Sequence, residues 1–248
     1  MKRKLKGGVN LLILDKVEKS YHNHPVLKGI SSTFQYGHCY LLLGDNGAGK
    51  STLLKCIAGD EKIDQGSIRV EQHELVSNLV ALQSQFFESY SFLKVKEVIE
   101  LFNKLIANPS NMKNLYEILD MAQYEKTLIK NTSGGQRKAL SLYLAFLMNK
   151  PIVLLDEPFA DLDLKKKKQL FGFLQNQVQN ENKCLLMISH EIIGLEALFD
   201  SVYIMQDGQF IEHGTTEELV EKYKNPTFSG LEAVYFEVTG QLLGGRIK

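Results

Sequence analysis

The chain has 248 residues, 44% hydrophobic and 23% charged, enough to bury the core of one large α/β domain. Lys and Arg total 29, as do Asp and Glu, so the basic surplus of a typical nucleic-acid binder is missing and no nucleic-acid partner is expected. Its three cysteines, Cys39, Cys56 and Cys184, form no CxxC pair, which speaks against a disulfide framework or zinc knuckle and for a reducing compartment.

The opening MKRKLKGG is basic. The apolar stretch after it, VNLLILDKV, is short, ends in charge and lacks a small-residue cleavage pattern, so it predicts a first strand and not a secretion signal. LLILDKVEKSY and VLKGISSTFQ predict two strands joined by a polar turn at His22–Pro25, and HCYLLL a third that runs into a glycine-rich turn. KSTLLKCIAG has helical spacing and stops at Gly59, and GSIRV and NLVAL predict short strands. From about Val95 to Met148 the apolar period turns helical, in VKEVIELFNKLI, NMKNLYEILDM and GQRKALSLYLAFLM. After Pro151 come strand IVLL, a helix over Leu164–Gln179, strand CLLMI, a helix near Glu191–Leu198, and hairpin VYIMQDGQFIE.

This alternation predicts an α/β domain with a mostly parallel sheet covered by helices and antiparallel strands at its N-terminal end. One domain spans 1–248, with a helical subdomain inserted at about 86–148 and a helical extension over 216–248. No internal repeat is visible, and the run Lys165–Lys168 reads as a solvated helix face. The longest apolar stretch, Ala139–Met148, is too short to span a bilayer. A soluble chain is therefore expected, with a membrane partner left open.

The turn after HCYLLL is GDNGAGKS, which fits G-x-x-x-x-G-K-[ST] with a strand before it and a helix after it. Its glycines let several N–H groups converge on one phosphate at the positive end of the following helix. Lys50 is placed to reach β- and γ-phosphates, and the Ser51 hydroxyl to meet Mg²⁺. Downstream, PIVLLDEPFADLD puts Asp156 and Glu157 at the end of an apolar strand. Ligands of open parallel sheets lie beyond such strand ends. Asp156 suits Mg²⁺, and Glu157 suits polarising an attacking water.

A second helix start, NTSGGQRKALSLYLAFL, carries Ser133 and Gln136 at capping-box spacing. With Gly134 and Gly135 beside it, that helix start is also an anion site. A head-to-tail pair of chains explains two phosphate-seeking helix starts in one: each nucleotide lies between the loop of one chain and the Ser-Gly-Gly turn of the other.

Together, in this order, these motifs resemble the ATP-binding subunit of an ABC transporter nearly end to end. The resemblance implies a P-loop NTPase fold of RecA-like core. GDNGAGKST is similar to the family's Walker A, so Gly44, Asp45, Asn46, Gly47, Ala48, Gly49, Lys50, Ser51 and Thr52 are implied to hold ATP and Mg²⁺. TSGGQ resembles the signature (Ser133, Gly134, Gly135, Gln136), IVLLDEP the Walker B, and ADLD, ending at Asp163, the D-loop. His190 in MISHE resembles the switch histidine, and Tyr21 the aromatic that stacks on adenine. Counting back from FLKV gives Gln85 as the Q-loop glutamine and Mg²⁺ contact, with Gln83 as the alternative. The chain departs from the pattern at Thr132, where leucine is usual, and at Asp161, where alanine or glycine is usual.

The resemblance further implies hydrolysis of ATP by a homodimer or heterodimer of cassettes. These would work on a separate transmembrane permease at the cytoplasmic face of the membrane. The aromatic cluster in FFESYSF, near Gln85–Phe92, is a candidate docking patch. GLEAVYFEVTG, Gly230–Gly240, resembles the SLEEVFLELTG element of ABC-2-type exporter cassettes and implies export. The alternatives are a soluble non-transport ABC ATPase and a regulatory nucleotide-sensing cassette.

Overall fold

The structure is a computed structural model that describes residues 11–70, 76–83 and 90–243. Two sheets form its frame. The first is antiparallel, in the order β2-β1-β4, from β1 (Leu11–Tyr21), β2 (His24–Gln35) and β4 (Gln65–Val70). Strands β1 and β2 meet in a tight hairpin. Tyr21 pairs with His24, and the two residues between them, His22 and Asn23, have φ of 46° and 65°, the left-handed pair that a two-residue turn requires.

The second sheet has the order β5-β6-β7-β3-β8-β9. Its strands are β3 (Cys39–Leu43), β5 (Val80–Leu82), β6 (Ile152–Asp156), β7 (Cys184–Ile188), β8 (Ser201–Gln206) and β9 (Gln209–Thr215). All its pairings are parallel except β8 with β9. The runs CYLLL and CLLMI are buried throughout, as a parallel sheet covered on both faces requires.

Period-two alternation divides the core in two. Cys39, Leu41 and Leu43 of β3, Val153 and Leu155 of β6, and Leu185 and Met187 of β7 face one cluster. The residues between them, Tyr40, Leu42, Ile152, Leu154, Cys184, Leu186 and Ile188, face the other. The second cluster is closed by the antiparallel sheet and by α1 (Lys50–Ala58), through Leu12, Phe34, Leu53 and Ile57. The first is covered by α2 (Val95–Leu105), α3 (Lys113–Ile118), α4 (Gly134–Leu147) and α5 (Leu164–Gln179). Helix α4 is buried at every residue from Leu140 to Leu147, because it lies between the sheet and the other helices. There Phe146 meets Phe173 of α5 edge to face, ring centroids 5.0 Å apart. Two further helices, α6 (Thr216–Lys222) and α7 (Gly230–Thr239), close the described chain.

The expected α/β fold with its antiparallel annex is what the chain adopts. The expected helix near Glu191–Leu198 is not formed. Only a 3-10 turn at Glu196–Leu198 stands there, because Gly194, at φ 75°, breaks the helical path two residues earlier. In the lysine run, Lys165 and Lys168 are exposed. Lys166 pairs with Asp120 at 2.6 Å, and Lys167 pairs with Glu191. Among the described residues, no helix is long and apolar enough to cross a membrane.

Candidate functional site

Strands β3, β7 and β6 are neighbours, and each ends in one of the motifs read from the sequence. Their carboxyl ends therefore bring the glycine loop, Asp156–Glu157 and His190 to one edge of the sheet. There they line a cleft of about 420 Å³, together with Tyr21, Val26, Thr52 and Ile188.

The loop can be built only with glycine at two points. At Gly44, φ 149°, a Cβ would lie 2.2 Å from the carbonyl oxygen of Met205. At Gly49, φ 106°, it would lie 2.9 Å from the carbonyl oxygen of Val26. Gly49 is also the N-cap of α1, so the close passage aims the loop at the positive end of that helix. Lys50 is 6% exposed. Its Nζ donates to the carbonyls of Gly44, at 2.5 Å, and Asp45, at 2.9 Å. Burial lowers its pKa, and the carboxylates of Glu157, Asp156 and Asp45 oppose that.

The Ser51 hydroxyl donates to Asp156 Oδ2 at 3.1 Å. Adjacent hydroxyl and carboxylate oxygens are the donor set that Mg²⁺ prefers when substrate phosphates complete its shell. Among the described residues, no group of three or more His, Cys, Asp or Glu could hold a metal without such help.

Glu157 has φ 53°, which turns its carboxylate back toward β7. There it accepts from the backbone N–H of His190, at 3.1 Å and 3.2 Å to its two oxygens. Burial raises its pKa first, with the Asp156 charge adding to it; the His190 amide, Lys138 and Lys50 oppose. The His190 Nε2 lies 3.6 Å from Glu157 Oε1, and its Nδ1 is buried without a partner. Burial and then the Lys50 charge lower its pKa, so the ring is neutral at pH 7. A carboxylate shifted toward neutrality beside a neutral imidazole can take a proton from a water and hold a neighbouring oxygen.

Tyr21, at the hairpin tip, lines the same cleft. Lys19 Nζ lies 5.1 Å from its ring centroid. Gln85 lies outside the described residues. Gln83 follows β5 directly, is 3% exposed, donates its N–H to Leu154 O of β6, and leaves its side-chain Oε1 buried without a partner.

Gly134 of the Ser-Gly-Gly turn lines a different cleft. Ser133 Oγ accepts from Gln136 N at 3.1 Å, and Gln136 Oε1 accepts from Ser133 N at 3.0 Å, so the capping box read from the spacing is formed. Gly134, Arg137, Lys138 and Asp161 line that second cleft, of about 280 Å³. Thr132 is buried, with its hydroxyl donated to Ile129 O at 2.6 Å. Threonine thus sits in the leucine position with its polar group satisfied. Asp163 caps α5, its Oδ1 accepting from Lys166 N at 2.9 Å. Reading the sequence missed Val26 and Ile188 as lining residues, since nothing marks them apart from other strand residues.

The family profile described as ABC transporter matches residues 27–160. Over 227 residues the chain is 31% identical to the spermidine/putrescine import ATP-binding protein PotA of Mycoplasma mycoides subsp. mycoides SC, covering 87% of this chain and 64% of that protein. The chain thus spans somewhat under two thirds of that relative. A solved ATP-binding subunit of an ABC transporter superposes with a TM-score of 0.81 at 22% identity, covering 92% of this chain and 99% of that one. A dimeric ATP-binding cassette in a post-hydrolysis state, bound to ADP and Pi, superposes with a TM-score of 0.70 at 21% identity, covering 82% and 98%. At these identities the two structures establish the fold.

Proposed function

The chain belongs to the ABC transporter family, and from that premise we propose that it is an ATP-hydrolysing cassette that powers transport through a separate membrane permease. The observation that carries this is the division of the site. The phosphate loop, Asp156, Glu157 and His190 share one cleft, while Gly134 of the Ser133–Gly135 turn lines another. One chain thus offers each half of a nucleotide site once. Two chains placed head to tail complete two sites, and the solved cassette described as dimeric and bound to ADP and Pi is in keeping with a pair.

In this reading the loop from Gly44 to Thr52 cradles the phosphates and Lys50 neutralises them. Ser51 and Asp156 would hold Mg²⁺, which supplies charge neutralisation at the β- and γ-oxygens. Glu157 accepts a proton from the attacking water. His190, neutral and tied by its backbone to Glu157, faces the γ-phosphate. The Ser133 turn of the other chain closes on the same phosphate, so hydrolysis removes the bridge and the pair reopens. Gln85, or Gln83 as the alternative, is the glutamine of this site.

Tyr21 stacks on the adenine with the cleft-side face of its ring. Tyr21→Ala is expected to weaken ATP binding by roughly 1–3 kcal/mol and Tyr21→Phe to leave it nearly unchanged, since stacking needs the ring and not the hydroxyl. Titration calorimetry checks this, and unchanged affinity in the alanine variant removes the assignment.

The permease would hold the cassette at the cytoplasmic face of the membrane. Phe92, 79% exposed with Lys130 Nζ 5.1 Å from its ring centroid, marks the docking patch. Export is the direction supported by the C-terminal GLEAVYFEVTG element. Import is the second reading, favoured by the relative named as an import ATP-binding protein. Capture of tagged Glu157→Gln protein from detergent-solubilised native membranes with ATP–Mg²⁺ tests the proposal. A stoichiometric polytopic membrane protein supports it and its sequence separates the two directions. A catch of soluble assemblies alone overturns the transporter reading.

A further inference from the structure

Helix α7 belongs to the core that supports the nucleotide cleft. Leu231 and Val234 are fully buried and Tyr235 is 2% exposed, in the same cluster as Ile192 and Leu195, which follow His190. Buried among apolar side chains, the Tyr235 hydroxyl still has to find a partner. It donates to Asp45 Oδ1 at 2.9 Å, across 190 positions of sequence.

Asp45 is an odd residue for its place. It is an exposed carboxylate in the middle of a loop whose work is to gather phosphates, which it repels. Its backbone carbonyl already accepts from Lys50 Nζ and from Ala48 N, so its backbone is pinned within the loop. Its charge reaches both Lys50 and His190, opposing the lowering of their pKa by burial. A free carboxylate here would compete with a phosphate for the Lys50 ammonium.

We propose that Tyr235 is a positioning residue for the phosphate loop: its hydroxyl holds the Asp45 carboxylate against α7, away from the phosphates, and so keeps Lys50 available to the nucleotide. The inference rests on the reading that this loop holds ATP. It makes the C-terminal helix a determinant of ATP affinity without any contact of its own to the nucleotide.

The test is the affinity of the full-length chain for a fluorescent ATP analogue with Mg²⁺, in wild type, Y235F, D45N and the double variant. Y235F keeps the ring that fills the core and loses only the hydroxyl; a circular dichroism melt checks that it folds. Its Kd is expected to rise about three- to tenfold, in keeping with loss of one hydrogen bond of ordinary net strength. The discriminating result is rescue. With the charge removed, D45N/Y235F is expected to bind within about twofold of D45N, the non-additivity of a coupled pair. A merely structural role for the hydroxyl would give the same loss in both backgrounds and overturn the proposal. So would a Y235F protein that binds like wild type. If the wild-type chain binds no ATP, the nucleotide reading falls and this inference with it; if wild type binds and Y235F equals it, this inference alone falls.

Discussion

Lys50→Ala protein is expected to lose measurable ATP binding, with Kd raised by about 100-fold or more. The reason lies in where the ammonium sits. It is almost wholly buried at the start of α1, and its hydrogen bonds go to two carbonyls of the loop itself. Neutral carbonyls are modest partners. Phosphate oxygens are charged, and each hydrogen bond between charged groups is worth about 1.5–3 kcal/mol. Two of them account for roughly a hundredfold to ten-thousandfold in affinity. Alanine also orphans the Gly44 carbonyl, which favours collapse of the loop. Lys50→Met retains the volume without the charge, and its comparison with Lys50→Ala separates the two effects. Titration calorimetry at constant salt is the measurement. An alanine variant that binds ATP within tenfold of wild type would place the main phosphate contact elsewhere.

Glu157→Gln is expected to keep ATP affinity, lose turnover by about 100- to 10,000-fold, and accumulate as an ATP-bound dimer. The size of the rate loss is that of a positioned general base. Glutamine preserves the acceptor for the His190 N–H and removes only the basicity. The shift in the carboxyl sets a second expectation. A glutamate whose folded-state pKa is raised costs stability above that pKa, because folding disfavours its charged form. Glu157→Gln should therefore melt no lower than wild type at pH 7. In wild type, loss of rate on acidification should begin at a higher pH than for an unperturbed glutamate, since the base must be ionised to act. Size-exclusion chromatography with light scattering, with and without ATP–Mg²⁺, reads the dimer. A variant that stays monomeric with ATP bound counts against the head-to-tail arrangement.

Local chemistry was legible from residue order. A strand ending in Gly-x-x-x-x-Gly-Lys-Ser states its own geometry, because glycine is the residue that passes the Met205 and Val26 carbonyls and because a helix start gathers anions. The Ser133–Gln136 capping box was equally explicit, since its hydrogen bonds span three residues. The helix expected near Glu191–Leu198 failed for a local reason too: apolar periodicity does not register that Gly194 takes a positive φ. Counting from FLKV selects Gln85, which lies outside the described residues; the alternative, Gln83, is buried at the end of β5 with its N–H donated to β6.

By itself, the sequence determined that this chain carries a phosphate loop, a carboxylate pair at a strand end and a second anion-seeking helix start. Each is a device whose parts lie within a few residues of one another. Only the tertiary structure decided how those devices share out between two clefts and which distant residues hold them. Strand order β6-β7-β3 brings residues 44, 156 and 190 to one edge, and the packing of α7 carries Tyr235 to Asp45. The physical reason is range. A turn or a cap is fixed by neighbouring dihedrals and short hydrogen bonds, whereas a contact across 190 positions exists only once burial of a whole core has set the helices against the sheet.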